Sequence, residues 1–376
     1  MIDNMQPAGL YAHVPFCKSK CSYCDFYSLE PGAWRMEEYA LALGREAGRF
    51  RARRRFIFDT LYLGGGTPTA GGSAYLAGLV NTLTGVFDGC FLDPEATVEC
   101  NPEDTARENF DFAALAAAGV NRLSFGLQAY AQPERDFLGR RGSPADLAVS
   151  VRKAAAAGID NFSVDLIIGI PGQNAQSLGA SIAFCANSGA RHISAYLLKA
   201  EPGTPLHENL ASAGLPDEDA VCDLYLFACD RLAEKGFLQY EISNFALPGY
   251  ESRHNLKYWR LAEYLGLGPG AHSFLDGRRF HYPRDLEQFI ASGESCSDGP
   301  GGDFGEYLML ALRLSEGFDA AAAGLRYPGL ALEKLFAVAR PLERAGLLHF
   351  TKNGLALTRK GFLLSNAVIG RLLEAV

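Results

Sequence analysis

Short apolar runs alternate with longer amphipathic stretches over roughly the first 200 residues. The runs predict strands at Leu10–Val14, Thr60–Leu63, Ala96–Cys100, Asn121–Leu127, Asn161–Ile170 and His192–Lys199. Between them, apolar residues recurring every three to four positions predict helices over Trp34–Arg55, from Ser73 to Phe87, and over Thr105–Ala118, Pro144–Ala157 and Ala175–Ser188. Ser73 has the chemistry of a helix cap, and Gly119 and Gly158 of helix stops. Six strands alternating with helices imply a parallel sheet covered by helices, curled into an incomplete (β/α)6 barrel. Ligands of such barrels sit at the carboxyl ends of the strands. The polar and glycine-rich segments of this chain fall there too: Cys17 to Cys24, Gly64 to Thr67, Glu99, Gln128 and Asp165 to Gly172 each lie at or just beyond an apolar run. They are expected to ring one opening.

Beyond residue 200 the rhythm breaks. Pro202-Gly203-Thr204-Pro205 and Pro216 mark turns. Asp217–Lys235 reads as a helix capped by Asp217, and a Gly- and Pro-dotted region follows to about residue 302. From Phe304 the chain reads as helices with a small hairpin. Leu330–Ala345 is apolar-periodic, and 346–350 with 355–357 form a wing, a winged-helix-like pattern. The expected division is an α/β core over 1–245 and a mostly helical module over 246–376.

Length changes this picture little, since 376 residues readily hold two domains. The formal net charge of −8 argues against a nucleic-acid partner. The one strong basic cluster, Arg51-Ala52-Arg53-Arg54-Arg55, reads as a solvated helix end, where cations suit the dipole. No leader pattern is seen at the start, and no apolar run approaches the ~20 residues that span a bilayer. Six of the nine cysteines lack ligand spacing and fit a reducing compartment as plain thiols. A cytoplasmic location without a membrane span is expected, with peripheral contact left open.

The other three carry the chemistry. Cys17, Cys21 and Cys24 stand at C-x3-C-x2-C spacing in the loop after the first strand. A [4Fe–4S] cluster normally takes four thiolates, so three leave one iron open to a small molecule. A zinc site would want a fourth ligand, and no second C-x2-C follows; His13 is near but on the strand. Three thiols cannot pair among themselves. Elsewhere, Gly64-Gly65-Gly66 suits either a tight strand–helix turn or close backbone approach to a ligand. Glu99 is either a solvated carboxylate or an acceptor for ligand hydroxyls or an amine. Gln128 is suited to ribose hydroxyls. Arg140 and Arg141 are rivals for gripping a carboxylate. Asp165, flanked by Val, Leu and Ile, needs a partner, since a buried unpaired charge is costly.

The cysteine spacing, with Tyr23 before the last thiol, resembles the radical S-adenosylmethionine (SAM) superfamily. The resemblance implies a TIM-like barrel that holds a [4Fe–4S] cluster on Cys17, Cys21 and Cys24, with SAM on the open iron. It implies SAM contacts from Tyr11, Gly65, Gly66, Thr67, Glu99, Gln128, Arg140, Asp165 and Ile167. GGGTP, ECNP, GLQ, VDLIIGIPGQ, SAYLLKAEPGTP and YEISNFA together are similar to the HemN/HemW branch. Its dehydrogenases continue the motif with one more cysteine, where this chain has Phe26, and carry an N-terminal extension not seen here. His254-Asn255-Leu256-Lys257-Tyr258-Trp259 instead resembles the H-N-x-x-Y-W motif of the branch's heme chaperones. That implies heme contact from His254, Tyr258 and Trp259, for which an imidazole and flat aromatic faces are apt; a lone histidine is otherwise more often structural. His272 is a second heme candidate. Arg141 stands where the branch often has histidine. The expected activity is heme binding and transfer to an acceptor protein, with an electron donor such as a flavodoxin or ferredoxin. The alternative is oxidative decarboxylation of coproporphyrinogen III in porphyrin biosynthesis, and a heme-opening enzyme is a third option.

Overall fold

The structure is a computed structural model that describes residues 6–376. The first residues of the segment read for a leader lie outside them. Among the described residues, no helix is long and apolar enough to cross a membrane.

Six strands, β1 (Ala8–Val14), β2 (Phe58–Gly65), β3 (Phe91–Cys100), β4 (Arg122–Gln128), β5 (Asn161–Ile168) and β6 (His192–Leu197), run parallel in sequential order. They are the expected six, with ends shifted by a few residues. Most of their residues are buried, as the near-continuous apolar runs require of strands covered on both faces. The expected helices pack outside. The helix Ala33–Arg53 lays Tyr39, Ala42, Leu43 and Ala47 on the sheet. The helix Pro144–Ala156 starts from a capping box, in which the Ser143 hydroxyl accepts from Asp146 N and the Asp146 carboxylate accepts from Ser143 N.

The sheet does not stop at six strands. Beyond β6 lie the short strands β7 (Leu238–Gln239) and β8 (Asn244–Ala246). The chain then crosses to the opposite edge, where β9 (Tyr264–Leu267) pairs parallel with β1, followed by the antiparallel strands β10 (His272–Leu275), β11 (Arg278–His281) and β12 (Cys296–Pro300). The sheet thus has twelve strands in the order β12-β11-β10-β9-β1-β2-β3-β4-β5-β6-β8-β7, continuous across residue 245. The six-stranded parallel core stays open: β1 pairs with β9 and β6 with β8 rather than with each other. A second sheet, formed by β13 (Phe318–Asp319), β14 (Leu348–Phe350) and β15 (Gly354–Leu357), sits among helices in the order β13-β15-β14 and contains the expected wing.

Three local expectations are corrected. Thr105–Ala118 is two short helices, Pro102–Thr105 and Phe112–Ala117, because Asp111 caps the second through Ala113 N. Ser73 begins its helix without capping it, and its hydroxyl instead accepts from Asp111 N. A further helix, Gln132–Leu138, lies between β4 and the helix Pro144–Ala156, with Pro133 in its first turn. The basic helix end is not merely solvated: Arg54 reaches Glu263 and Asp276 at 2.9 Å each. The Asp217 cap is present, accepting from Ala220 N.

Candidate active site

Each parallel strand delivers one polar group to the same end of the sheet. There they wall a cavity of about 480 Å³ that holds all three motif cysteines with Gly65, Gly66, Thr67, Glu99, Gln128, Arg140, Asp165 and Ile167. The loop after β1 carries the thiols. Its base is fixed by Cys17 N donating to Leu29 O and Leu29 N to Pro15 O, and its tip by Ser22, whose N and hydroxyl donate to Leu138 O and Phe137 O. The thiols are half-buried and unpaired. Burial pushes the Cys24 thiol up to about 11, with Cys21 and Cys17 adding like charge. Three thiols on one cavity wall, with Arg140 beside Cys21, suit a shared cation.

The glycine turn after β2 is under steric demand. A Cβ on Gly66 would lie 2.8 Å from the Phe16 backbone, and Gly65 has φ +103° with His13 where its Cβ would go. Only glycine brings this turn against the cysteine loop. Thr67 Oγ1 then meets Cys17 Sγ at 3.3 Å.

Among the carboxylates that line the cavity, Glu99 and Asp165 stand on the parallel strands. Glu99 accepts from Tyr62 Oη at 2.9 Å and from Gly65 N at 3.0 Å. Burial nevertheless pushes its carboxyl up to about 7, because two donors do not replace lost hydration. Asp165 accepts from Ser124 Oγ at 3.3 Å, and burial raises it as well. Opposite charge comes from Arg140, whose guanidinium donates to Gly126 O, to Asn101 Oδ1 at 3.4 Å and to Cys21 Sγ at 3.5 Å. Of the two arginine rivals, Arg140 is the one turned inward, while Arg141 is exposed at the rim. Gln128, at φ +66°, holds a left-handed backbone rare for its type, and its Oε1 is buried without a partner. Arg140 Nε is likewise unpartnered.

These groups fit a [4Fe–4S] cluster with SAM beside it. Three thiols meet one cavity; carboxylates suit an ammonium and a sulfonium, a guanidinium suits a carboxylate, and an orphaned amide oxygen suits a ribose hydroxyl. Sequence reasoning missed Tyr62, Asn101, Ser124 and Tyr196. The available signal was a polar-tipped residue inside, or directly after, an otherwise apolar run.

Tyr11 is not on the cavity wall. Its hydroxyl meets His13 Nδ1 at 3.1 Å, and its ring lies 6.3 Å from that of His254. His254 is buried too, with Nδ1 2.8 Å from Thr60 Oγ1 and Nε2 2.8 Å from Tyr258 Oη. Burial lowers its ring to about 3, so it is a neutral core imidazole. Tyr258 and Trp259 do reach a wall. With Tyr225, Arg313 and Phe362 they line a second cavity of about 510 Å³, which shares Tyr196, Leu197 and Lys199 with the first. His272 lies elsewhere, on β10 at the far edge of the sheet.

Comparison with known proteins agrees with this layout. Residues 11–185 match the Radical SAM superfamily and residues 305–364 the HemN C-terminal domain. The chain is 34% identical over 377 residues to the heme chaperone HemW of Bacillus subtilis (strain 168), covering 96% of this chain and 98% of that one. It is 36% identical over 384 residues to the heme chaperone HemW of Mycobacterium tuberculosis (strain H37Rv), covering 98% and 95%. Among solved structures it is similar to the coproporphyrinogen III oxidase HemN of Escherichia coli, with a TM-score of 0.83 at 20% identity, over 98% of this chain and 91% of that one. That likeness shows the α/β radical SAM fold. Identity above 30% over nearly the full length of both chains places this chain in the HemW family of radical SAM proteins.

Proposed function

We propose that this chain is a heme chaperone: it holds a [4Fe–4S] cluster on Cys17, Cys21 and Cys24, SAM beside it, and heme near Tyr258 and Trp259, and it passes heme to an acceptor protein. The observation that carries the reading is the convergence of three thiols with the strand carboxylates Glu99 and Asp165 and the inward Arg140 on one cavity. The cluster, when bound, supplies an electron to the sulfonium of SAM. Arg140 grips the SAM carboxylate, Glu99 and Asp165 face its cationic groups and ribose, Gln128 binds a ribose hydroxyl, and Ile167 packs on the adenine. Glu99 binds an ammonium best when ionised, above its raised pKa.

The second cavity supports a heme role because it is aromatic with two cations: Tyr258 and Trp259 offer flat faces, and Arg313 and Lys199 suit propionates. His254 takes a positioning part, since its Nε2 holds the Tyr258 hydroxyl. The acceptor protein, and a flavodoxin or ferredoxin as reductant, complete the proposal. A cytoplasmic site of action suits an oxygen-sensitive cluster.

The test is anaerobic reconstitution followed by heme titration, with deoxyadenosine and tetrapyrrole products measured. Expected are four irons per chain, lost in Cys21→Ser, and a heme spectrum that weakens at least tenfold in Trp259→Ala. Conversion of coproporphyrinogen III to protoporphyrinogen IX would overturn the chaperone reading in favour of the dehydrogenase. Zinc in place of iron would overturn the cluster itself.

A further inference from the structure

The three antiparallel strands at the far edge of the sheet carry a second cluster of metal-binding side chains. His272 on β10 and His281 on β11 are directly paired in register, so their rings project from the same face. Their centroids are 5.1 Å apart at an interplanar angle of 27°. Asp298 on β12 completes the group: one carboxylate oxygen lies 2.7 Å from His281 Nδ1 and the other 3.8 Å from His272 Nδ1. One ligand atom from each residue falls within 4.8 Å of the other two, and among the described residues no other group of three or more His, Cys, Asp or Glu does this. Tetrahedral coordination at about 2.0–2.1 Å needs donors about 3.4 Å apart. A small rotamer adjustment therefore closes three corners. Both histidine rings and the carboxylate reach solvent, so the fourth corner is open to water.

We propose that His272, His281 and Asp298 bind one divalent ion of the zinc class, apart from the cysteine loop. The donor set is two imidazoles and a carboxylate, which suits borderline ions such as Zn(II) and Co(II) and gives little hold on Mg(II). No thiol takes part, although Cys296 pairs with His281 in register and is exposed. The placement also gives the ion a mechanical role. The segment just after His281 braces the outer side of the cysteine loop: Arg284 Nη1 donates to Asp25 O at 3.1 Å, and Leu286 N donates to Tyr27 Oη at 2.9 Å. An ion that ties β10, β11 and β12 therefore stiffens the support of the thiol loop.

The experiment uses the full chain with its iron–sulfur cluster assembled, so that the motif thiols are occupied. Zn(II) is added, and bound metal is counted after dialysis. One zinc per chain beyond the cluster iron is expected, with affinity reduced at least tenfold in His281→Ala and in Asp298→Ala. Co(II) then reports the donor set: weak visible bands without an intense near-ultraviolet thiolate band are expected. Equal zinc uptake by the wild type and both variants overturns the site, as does a cobalt–thiolate band. All three ligands are on the surface, so the metal-free variants should melt with the wild type, and loss of zinc then reports the site rather than the fold. Heme titrated into His281→Ala separates this site from heme binding: unchanged heme affinity is expected, and loss of heme with no effect on zinc overturns the assignment to a metal ion.

Discussion

At the scale of single residues, Glu99 shows how an enclosed cavity prepares a charge. Its carboxyl is shifted from an ordinary value of 4.5 to about 7 by burial, which the Tyr62 and Gly65 donors offset only in part. A raised carboxyl pKa means that the folded state binds the proton more tightly than the unfolded chain. Its contribution to stability is therefore full below about pH 4.5 and is lost as pH rises through about 7. Glu99→Gln removes this loss. The cluster-free variant is expected to gain on the wild type between pH 5 and pH 8, by roughly 1–3 kcal/mol from the size of the shift. The same variant should bind SAM at least tenfold more weakly at pH 8. Melting curves at the two pH values, with SAM titrated at the higher one, check both parts. A stability gap that does not change with pH would mean that Glu99 is solvated in the folded chain.

At the scale of elements, helix Arg253–Trp259 joins the starts of the central strands β1 and β2 to the second cavity. Its Lys257 is nearly buried, donates to Pro7 O at 2.8 Å and pairs with Asp59 at 2.6 Å, at the starts of β1 and β2. Lys257→Met keeps the apolar stem but leaves Asp59 with only Arg253 at 3.8 Å. A partly buried carboxylate stripped of its partner costs about 1–3 kcal/mol, which lowers Tm by about 1–4 °C in a chain of this size. A Tm within half a degree or so of the wild type would show that the ion pair is solvent-screened. The first six strands were legible in the sequence because each is a buried run ended by a glycine or a polar side chain, and those ends are the site. The strands from β9 to β12 were not legible. Gly266, Gly268, Gly270 and Gly277 interrupt them, and their short runs have no period of two; β9 exists because it docks on β1. Arg140 could not be told from Arg141 by composition. The αL turn at Gly139 decides it by aiming Arg140 back at Gly126. His254 was legible as important but not as buried, because its Thr60 partner lies 194 residues away.

At the scale of the whole molecule, the two cavities are one system. Tyr196, Leu197 and Lys199, at the end of β6, face both. On one side their neighbours are Asp165 and Ile167; on the other they are Tyr258 and Trp259. A ligand that orders this strand end from one side changes the wall met from the other. Binding of SAM and of heme is therefore expected to be coupled, by the five- to 150-fold range usual between linked sites. Reciprocity fixes the form of the test: SAM must change heme affinity by the same factor as heme changes SAM affinity. Tyr196→Ala removes the largest shared side chain and should shrink both factors toward one, while each ligand still binds alone. Titrations of the cluster-loaded protein with each ligand, in the absence and presence of the other, measure all four constants. Equal affinities with and without the second ligand in the wild type would show that the strand end is rigid and that the two cavities act independently.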